Sequence, residues 1–315
     1  MTLNLYGNDL LGDPIKRPSR GPVADKFVFP PFSVLDAKQG AWKDRKRAWA
    51  STGIKGEVGR DAKTYNTTDW IKNNGLSGGY QNLPGTGDDW QGTSIFDPVL
   101  CELAYRWFCP SGGQIVDPFA GGSVRGVVAS MLGFKYWGCD LRQEQIDANN
   151  QQKQDIDPDG PPPVWICGDS KIKMMDAPGA DFVFSCPPYG DLEKYSDNPD
   201  DLSAMEYHAF LAAYKRIILK SVSRLKNDRF ACFVVGDFRD KNGFYRNFVS
   251  ETINGFEQAG ARLYNEAILL TSIGSACMRV TKQFNAGRKM VKVHQNVLVF
   301  CKGDGMKAAR AIGND

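Results

Sequence analysis

The sequence predicts an α/β fold built on a mostly parallel, doubly wound sheet, and three observations carry that prediction. Short apolar runs alternate with longer segments of helical period between residues 98 and 301. Three successive runs close on, or just before, an acid: Asp117, Asp140 and Asp169. Between the first run and its helix lies Pro118-Phe119-Ala120-Gly121-Gly122-Ser123, a turn with almost no side chain after the phenylalanine. Strand, glycine turn and helix together form a floor on which a nucleotide-like ligand can lie against backbone N–H groups.

Taken in order, residues 1–93 read as an irregular N-terminal extension with Pro14, Pro18, Pro22, Pro30, Pro31 and Pro84. Within it, residues 41–49 carry Lys43, Arg45, Lys46 and Arg47 between Trp42 and Trp49, with spacing that suits a short helix. Asp97 and Pro98 supply a cap and a first helical residue, and Leu100, Leu103, Ala104 and Trp107 give the period that follows. Residues 114–117 form the opening strand, and Ser123 is placed to cap a helix that Gly133 stops. Strands at 135–139, 164–167 and 180–184 follow, with a polar helix from 143 to about 152. Residues 205–225 and 244–259 read as helices around an uninterrupted apolar strand at 230–235. Residues 262–270 and 293–301 read as a closing antiparallel pair, joined by a basic, flexible segment at 272–292.

Composition excludes several classes. With 42% apolar and 24% charged residues the chain is an ordinary globular one, and no apolar run is long enough to span a membrane. Residues 1–10 lack a cationic stretch followed by an apolar one, so no signal peptide is expected. The 8 cysteines include no C-x-x-C pair, which argues against zinc and disulfides and for a reducing, cytoplasmic compartment. The net charge of +3 conceals segregation: residues 1–60 hold 11 Lys/Arg against 6 Asp/Glu, residues 271–315 hold 8 against 2, and the middle 20 against 28. Basic flanks around an acidic centre predict a polyanionic partner, with solvated termini as the alternative. The Trp–cation segment has two readings as well: charges for phosphates with rings for bases, or a solvated helix pinned by two buried tryptophans.

The acids and the next turn bear on chemistry. A carboxylate ending the second strand, Asp140, can accept from both ribose hydroxyls of a cofactor. Asp169 can accept from an adenine amino group, and Asp117 lies near the cofactor's charged end. After the fourth strand come Ser185-Cys186-Pro187-Pro188-Tyr189. The paired prolines stiffen the backbone, and Tyr189 offers a ring on which a planar base taken out of a helix could stack.

These motifs, in this order, resemble those of S-adenosylmethionine-dependent DNA amino-methyltransferases of the N6-adenine and N4-cytosine group, particularly phage-type enzymes. The resemblance covers residues 94–301, about two-thirds of the chain. It implies a Rossmann-like class I methyltransferase domain, a seven-stranded, mostly parallel sheet with an antiparallel last strand, and S-adenosyl-L-methionine as cofactor. By that likeness Phe96-Asp97-Pro98, Asp117 through Ser123, Asp140-Leu141-Arg142 and Gly168-Asp169-Ser170 form the cofactor site. Residues 185–189 form the catalytic turn, with Tyr189 against the target base. The partner is double-stranded DNA, gripped by residues 1–93 and by the 272–292 insert. Candidate contacts are Trp42, Lys43, Arg45, Lys46, Arg47 and Trp49 in the first, and Arg279, Lys282, Arg288 and Lys289 in the second. A homodimer is compatible with this arrangement, and residues 302–315 read as a C-terminal tail.

One position departs from the pattern. The family has Asp, Asn or Ser immediately before Pro-Pro-Tyr, and this chain has Cys186, a weak acceptor. In an amino-methyltransferase the Pro187 carbonyl would then polarise the amine, or Ser185 would swing in. Alternatively Cys186 is a nucleophile for methylation at cytosine C5, or a buried spacer. RNA or another planar amine is a further acceptor class.

Overall fold

The computed structural model describes residues 21–55, 96–189, 198–271 and 276–313. Its centre is one 8-stranded sheet. In chain order the strands are β1 (Val34–Asp36), β2 (Gln114–Asp117), β3 (Lys135–Asp140), β4 (Val164–Cys167), β5 (Ala180–Ser185), β6 (Leu225–Val235), β7 (Arg262–Leu270) and β8 (His294–Lys302). Across the sheet they run β1-β7-β8-β6-β5-β2-β3-β4. All neighbours are parallel except β8, which is antiparallel to both β6 and β7. Among the described residues this is a doubly wound, mostly parallel sheet with β1 added at one edge, so it has eight strands, one more than the resemblance implies.

The strands build two faces by alternation. Phe182 and Phe184 of β5, Cys232 and Val234 of β6, and Val297 and Val299 of β8 join one core cluster; Val183, Phe233 and Leu298 join the other. Because both faces are buried, these strands read as continuous apolar runs rather than as a two-residue alternation of polarity. The first face is covered by helices α2 (Gly40–Ala50), α3 (Pro98–Phe108), α4 (Val124–Met131) and α5 (Gln143–Ile156). The second is covered by α6 (Ser170–Lys173), α7 (Tyr207–Arg224) and α8 (Phe248–Gln258). On α7, Phe210, Tyr214, Ile217, Ile218 and Val222 are buried, an apolar stripe of helical period.

Four sequence expectations change. Of the expected extension 1–93, residues 21–55 join the main body, because β1 pairs with β7 and α2 packs on α3, and the rest lies outside the described residues. The 272–292 connection contains a helix, α9 (Ala276–Gly287). The C-terminal residues form α10 (Gly305–Ile312), which packs on β6 and α3. Ser123 stands at the start of α4 but makes no capping bond; its hydroxyl donates instead to Gln152.

The tryptophan–cation helix α2 is core, not a stacking platform. Trp42 and Trp49 are 1% and 0% exposed. The Trp42 indole donates to Asp97 at 3.1 Å and the Trp49 indole to Glu102 at 2.9 Å. Arg45 makes a two-pronged pair with the fully buried Glu102, at 2.8 and 2.5 Å, and Lys46 pairs with Asp97 at 3.3 Å. Burial opposes ionisation of Glu102, but Arg45, with Arg106 and Trp49, outweighs it and holds the carboxyl below its usual 4.5. Glu102→Ala removes the buried acceptor shared by Arg45, Arg106 and Trp49, and is expected to cost about 3–5 kcal/mol in denaturant unfolding at neutral pH. The wild-type contribution should be complete above pH 4.5 and lost as pH falls through the lower folded-state value, so the stability gap between wild type and variant should narrow in acid.

Candidate active site

The connections leave β2 toward β3 on one side and return to β5 on the other, so the crevice outside the carboxyl ends of β2 and β5 is the switch point of the sheet. The turn after β2 occupies that crevice and is held from beneath. Asp117 is fully buried, and each carboxylate oxygen takes two donors. Oδ1 accepts from the Phe119 amide at 3.1 Å and the Ser185 hydroxyl at 2.5 Å. Oδ2 accepts from Arg125 Nε at 2.5 Å and the Tyr136 hydroxyl at 2.8 Å. A carboxylate offers about four acceptor positions, so Asp117 has none left for a ligand. The expectation that it meets the cofactor's charged end is corrected: it is the anchor of the turn.

Arg125, from the first turn of α4, extends that anchor. It donates to the Phe119 and Ala120 carbonyls as well as to Asp117, and the Phe96 ring lies 4.7 Å from its guanidinium carbon. Burial opposes the charge on Arg125, but Asp117 outweighs it and raises the guanidinium pKa above its usual value. Two further carbonyls of the turn are satisfied from inside: Ser170 donates to Pro118 at 2.6 Å, and Asn149 donates to Gly121 at 2.8 Å. Gly121 has φ +51°, a left-handed conformation, and sits half-exposed beside Gly122.

Asp140 ends β3 beside this turn. Its Oδ2 accepts from the Gly121 amide at 2.9 Å and its Oδ1 from the Arg142 amide at 3.0 Å. Two of about four acceptor positions are used, which leaves one on each oxygen. Burial raises its pKa above the usual 3.8, against the two backbone bonds and the Arg142 charge. Leu141 and Arg142 are half-exposed, and Arg142 reaches Gln145 at 2.9 Å. After β4, the Gly168 amide donates to the Asp140 carbonyl at 2.9 Å, and Asp169 caps α6 while pairing with Lys171 at 3.2 Å. The ends of β2, β3 and β4 thus lie side by side. Asp97 does not join them: it caps α3 and turns its side chain to Trp42 and Lys46.

The acceptor turn follows β5, next to β2. Ser185 is fully buried and committed to Asp117, so it cannot swing toward a substrate without breaking the anchor. Cys186 is half-buried, with its sulfur 4.0 Å from the Tyr189 hydroxyl. Pro187 is buried, and Pro188 and Tyr189 are half-buried at the rim. Gln295 of β8 donates to the Tyr189 hydroxyl at 2.7 Å, and Phe238 and Phe248 present ring edges to Tyr189. A Cβ at Gly236, just after β6, would lie 3.6 Å from Lys292 Nζ and 3.8 Å from Tyr189 Cε1, ordinary contact distances that place both groups beside the end of β6. Burial lowers the Lys292 pKa, against the attraction of Asp237.

Of the predicted cationic contacts, Arg45 and Lys46 are spent on α3, whereas Lys43 and Arg47 are exposed, Arg47 being paired with Asp44 at 2.5 Å. Arg279, Lys282 and Arg288 are exposed on and just after α9, and Lys289 is half-buried. Sequence reasoning missed Arg125, Tyr136, Asn149, Gln295 and Lys292. Only Arg125 carried a signal, as a lone charge inside the apolar run Val124-Arg125-Gly126-Val127-Val128. The apolar cavity of about 190 Å³ between α3 and β7–β8, lined by Leu103, Trp107 and Val299 among others, includes no residue of the three turns.

If Asp117 is an anchor, Asp117→Ala strands the buried Arg125 and should lower unfolding free energy by about 3–5 kcal/mol in a denaturant titration. Ser185→Ala removes one hydrogen bond and should cost about 1 kcal/mol. Equal, negligible losses would refute the anchoring role.

No family model matches the chain, and no curated protein does. Solved structures with a similar outline include TrmN from Thermus thermophilus, 14% identical with a TM-score of 0.45 over 66% of this chain and 49% of that one. A second is a TehB-like SAM-dependent methyltransferase from Corynebacterium glutamicum ATCC 13032, 18% identical, TM-score 0.42, over 76% of this chain and 98% of that one. A third is the magnesium protoporphyrin IX methyltransferase ChlM from Synechocystis PCC 6803 with bound SAH, 10% identical, TM-score 0.46, over 77% and 97%. The chain spans about half the length of the first of these.

Proposed function

We propose that the chain is an S-adenosylmethionine-dependent methyltransferase acting on the exocyclic amine of an adenine or cytosine in DNA. The observation that carries the proposal is the juxtaposition, on adjacent strands, of a braced glycine turn with a partly open Asp140 and of a rigid Pro-Pro-Tyr turn. Asp140 has one acceptor position left on each oxygen, which suits the two donors of a ribose diol. Asp169 is half-exposed at the neighbouring strand end, where it would accept from the adenine amine. When bound, S-adenosylmethionine would supply an electrophilic methyl group on a sulfonium.

The acceptor side follows from this chain's own groups. Tyr189, held by Gln295, offers a fixed face for a base rotated out of the duplex. With Ser185 committed to Asp117, the polarising acceptor for the amine is the Pro187 carbonyl, whose orientation Pro188 restricts. The amine loses its proton late, so placement rather than a strong base supplies most of the rate. A second reading rests on Cys186, whose half-buried thiol stands in the same turn and could add to a pyrimidine ring for C5 methylation.

Calorimetric titration with S-adenosylmethionine should give binding that Asp140→Ala abolishes. Because only the ionised carboxylate accepts from both hydroxyls, wild-type affinity should fall as pH drops through the Asp140 value, which lies above the usual 3.8; Asp140→Asn should flatten that profile. Silent titrations for wild type would end the cofactor assignment. Mass spectrometry of nucleosides from treated DNA should yield N6-methyladenine or N4-methylcytosine. Tyr189→Ala should cut that yield at least about 100-fold with cofactor binding intact. Cys186→Ser should retain activity; its complete loss, with 5-methylcytosine as the wild-type product, would transfer the proposal to the nucleophile reading.

A further inference from the structure

Residues 239–246 form a stitched hairpin on the rim of the acceptor crevice. Its foot is Phe238, which is buried and meets the Tyr189 ring edge-on at 6.5 Å. The Gly243 amide donates to the Asp240 carbonyl at 2.9 Å, the Phe244 amide to the Asp240 carboxylate at 2.9 Å, and the Asp240 amide to the Phe244 carbonyl at 2.8 Å. Arg239 and Tyr245 form an antiparallel bridge; the guanidinium stacks 3.9 Å over the Tyr245 ring and donates to the Gly243 carbonyl at 2.8 Å. With its backbone and Arg239 already committed, the hairpin holds Phe244 out at 73% exposure. A large ring fixed in water gains nothing from folding; it is preorganised for something that covers it.

Charge identifies the partner. Residues 276–292 contain five cations (Arg279, Lys282, Arg288, Lys289, Lys292) and no acid. This segment abuts the hairpin, since a Cβ at Gly243 would lie 2.4 Å from Lys289 Nζ. A fixed exposed aromatic beside a cation-rich segment that itself contains no acid matches a polyanion with flat, stackable units.

We propose that the 239–246 hairpin is a contact for double-stranded DNA in which Phe244 stacks on a base beside the one presented to Tyr189, while the 276–292 cations take phosphates. The partner rests on the function proposed above, but the test does not require methyl transfer. The full-length protein is titrated into a fluorescently labelled random-sequence DNA duplex at several salt concentrations, and its S-adenosylmethionine binding is measured alongside. Phe244→Ala should weaken duplex binding about tenfold with an unchanged salt slope, since no charge is lost, and Phe244→Trp should restore it. Arg279→Ala with Lys282→Ala should instead reduce the slope. Wild-type-like duplex binding by Phe244→Ala overturns the hairpin proposal alone. A wild type that binds S-adenosylmethionine but no duplex, or only RNA, overturns both the hairpin's partner and DNA as acceptor, leaving the cofactor assignment standing. Unaltered cofactor binding by Phe244→Ala shows that the variant is folded.

Discussion

The Asp117–Arg125 ion pair is the interaction on which the site depends. Two charges removed from water are costly, and they persist together because the acceptor positions of Asp117 are filled and Arg125 donates to two carbonyls besides. Tyr136 brings in β3, Ser185 brings in β5, and the Phe119 and Ala120 carbonyls bring in the turn itself. Glycine-rich turns ordinarily lack the side chains that would fix them. Here the fixing comes from below, through carbonyls drawn down onto a buried cation, and the exposed surface stays bare enough for a ligand to lie on backbone. The same carboxylate removes Ser185 from the acceptor pocket, so floor and acceptor turn are set by one group.

Sheet topology supplies the other half of the arrangement. Because β2 lies between β3 and β5, the two turns that matter emerge side by side although about seventy residues separate them in sequence. The reversal of β8 then brings Gln295 and Lys292 to the same end of the sheet as the carboxyl ends of β5 and β6. A parallel strand in that place would have presented its other end. The antiparallel closure is thus a feature of the site as well as of the sheet.

The parts of this architecture legible in sequence were those specified locally. Strand ends marked by Asp117, Asp140 and Asp169, the Ala-Gly-Gly turn and the Asp97 cap depend on residues within a few positions of one another, so pattern alone finds them. The rest depends on distant partners. Whether Asp117 faced ligand or core turned on Arg125 and Tyr136, and the three-residue β1 gains its place only from β7. The role of Tyr189 is framed by Gln295, a polar residue at a strand start like many others. The 276–287 helix carries cations and exposed apolar residues such as Val280 and Phe284, a mixture that periodicity alone read as a flexible connection.

The two basic regions differ for the same reason, and the difference bears on how a polyanion would be met. By count alone the N-terminal residues 1–60, with an excess of five cations, rival residues 271–315, with six. In the fold, Arg45 and Lys46 face the carboxylates of Glu102 and Asp97, and their field is cancelled within a few ångströms. Residues 276–292 include no acid, and Arg279 and Lys282 project from a helix exposed to solvent. A cation already neutralised by a buried carboxylate releases no counterions from a nucleic acid, whereas an uncompensated one does. Helix α2 therefore serves the stability of the sheet's first face. The exposed cations Arg279, Lys282 and Arg288 lie instead on and just after α9, in the segment that meets the 239–246 hairpin at Gly243.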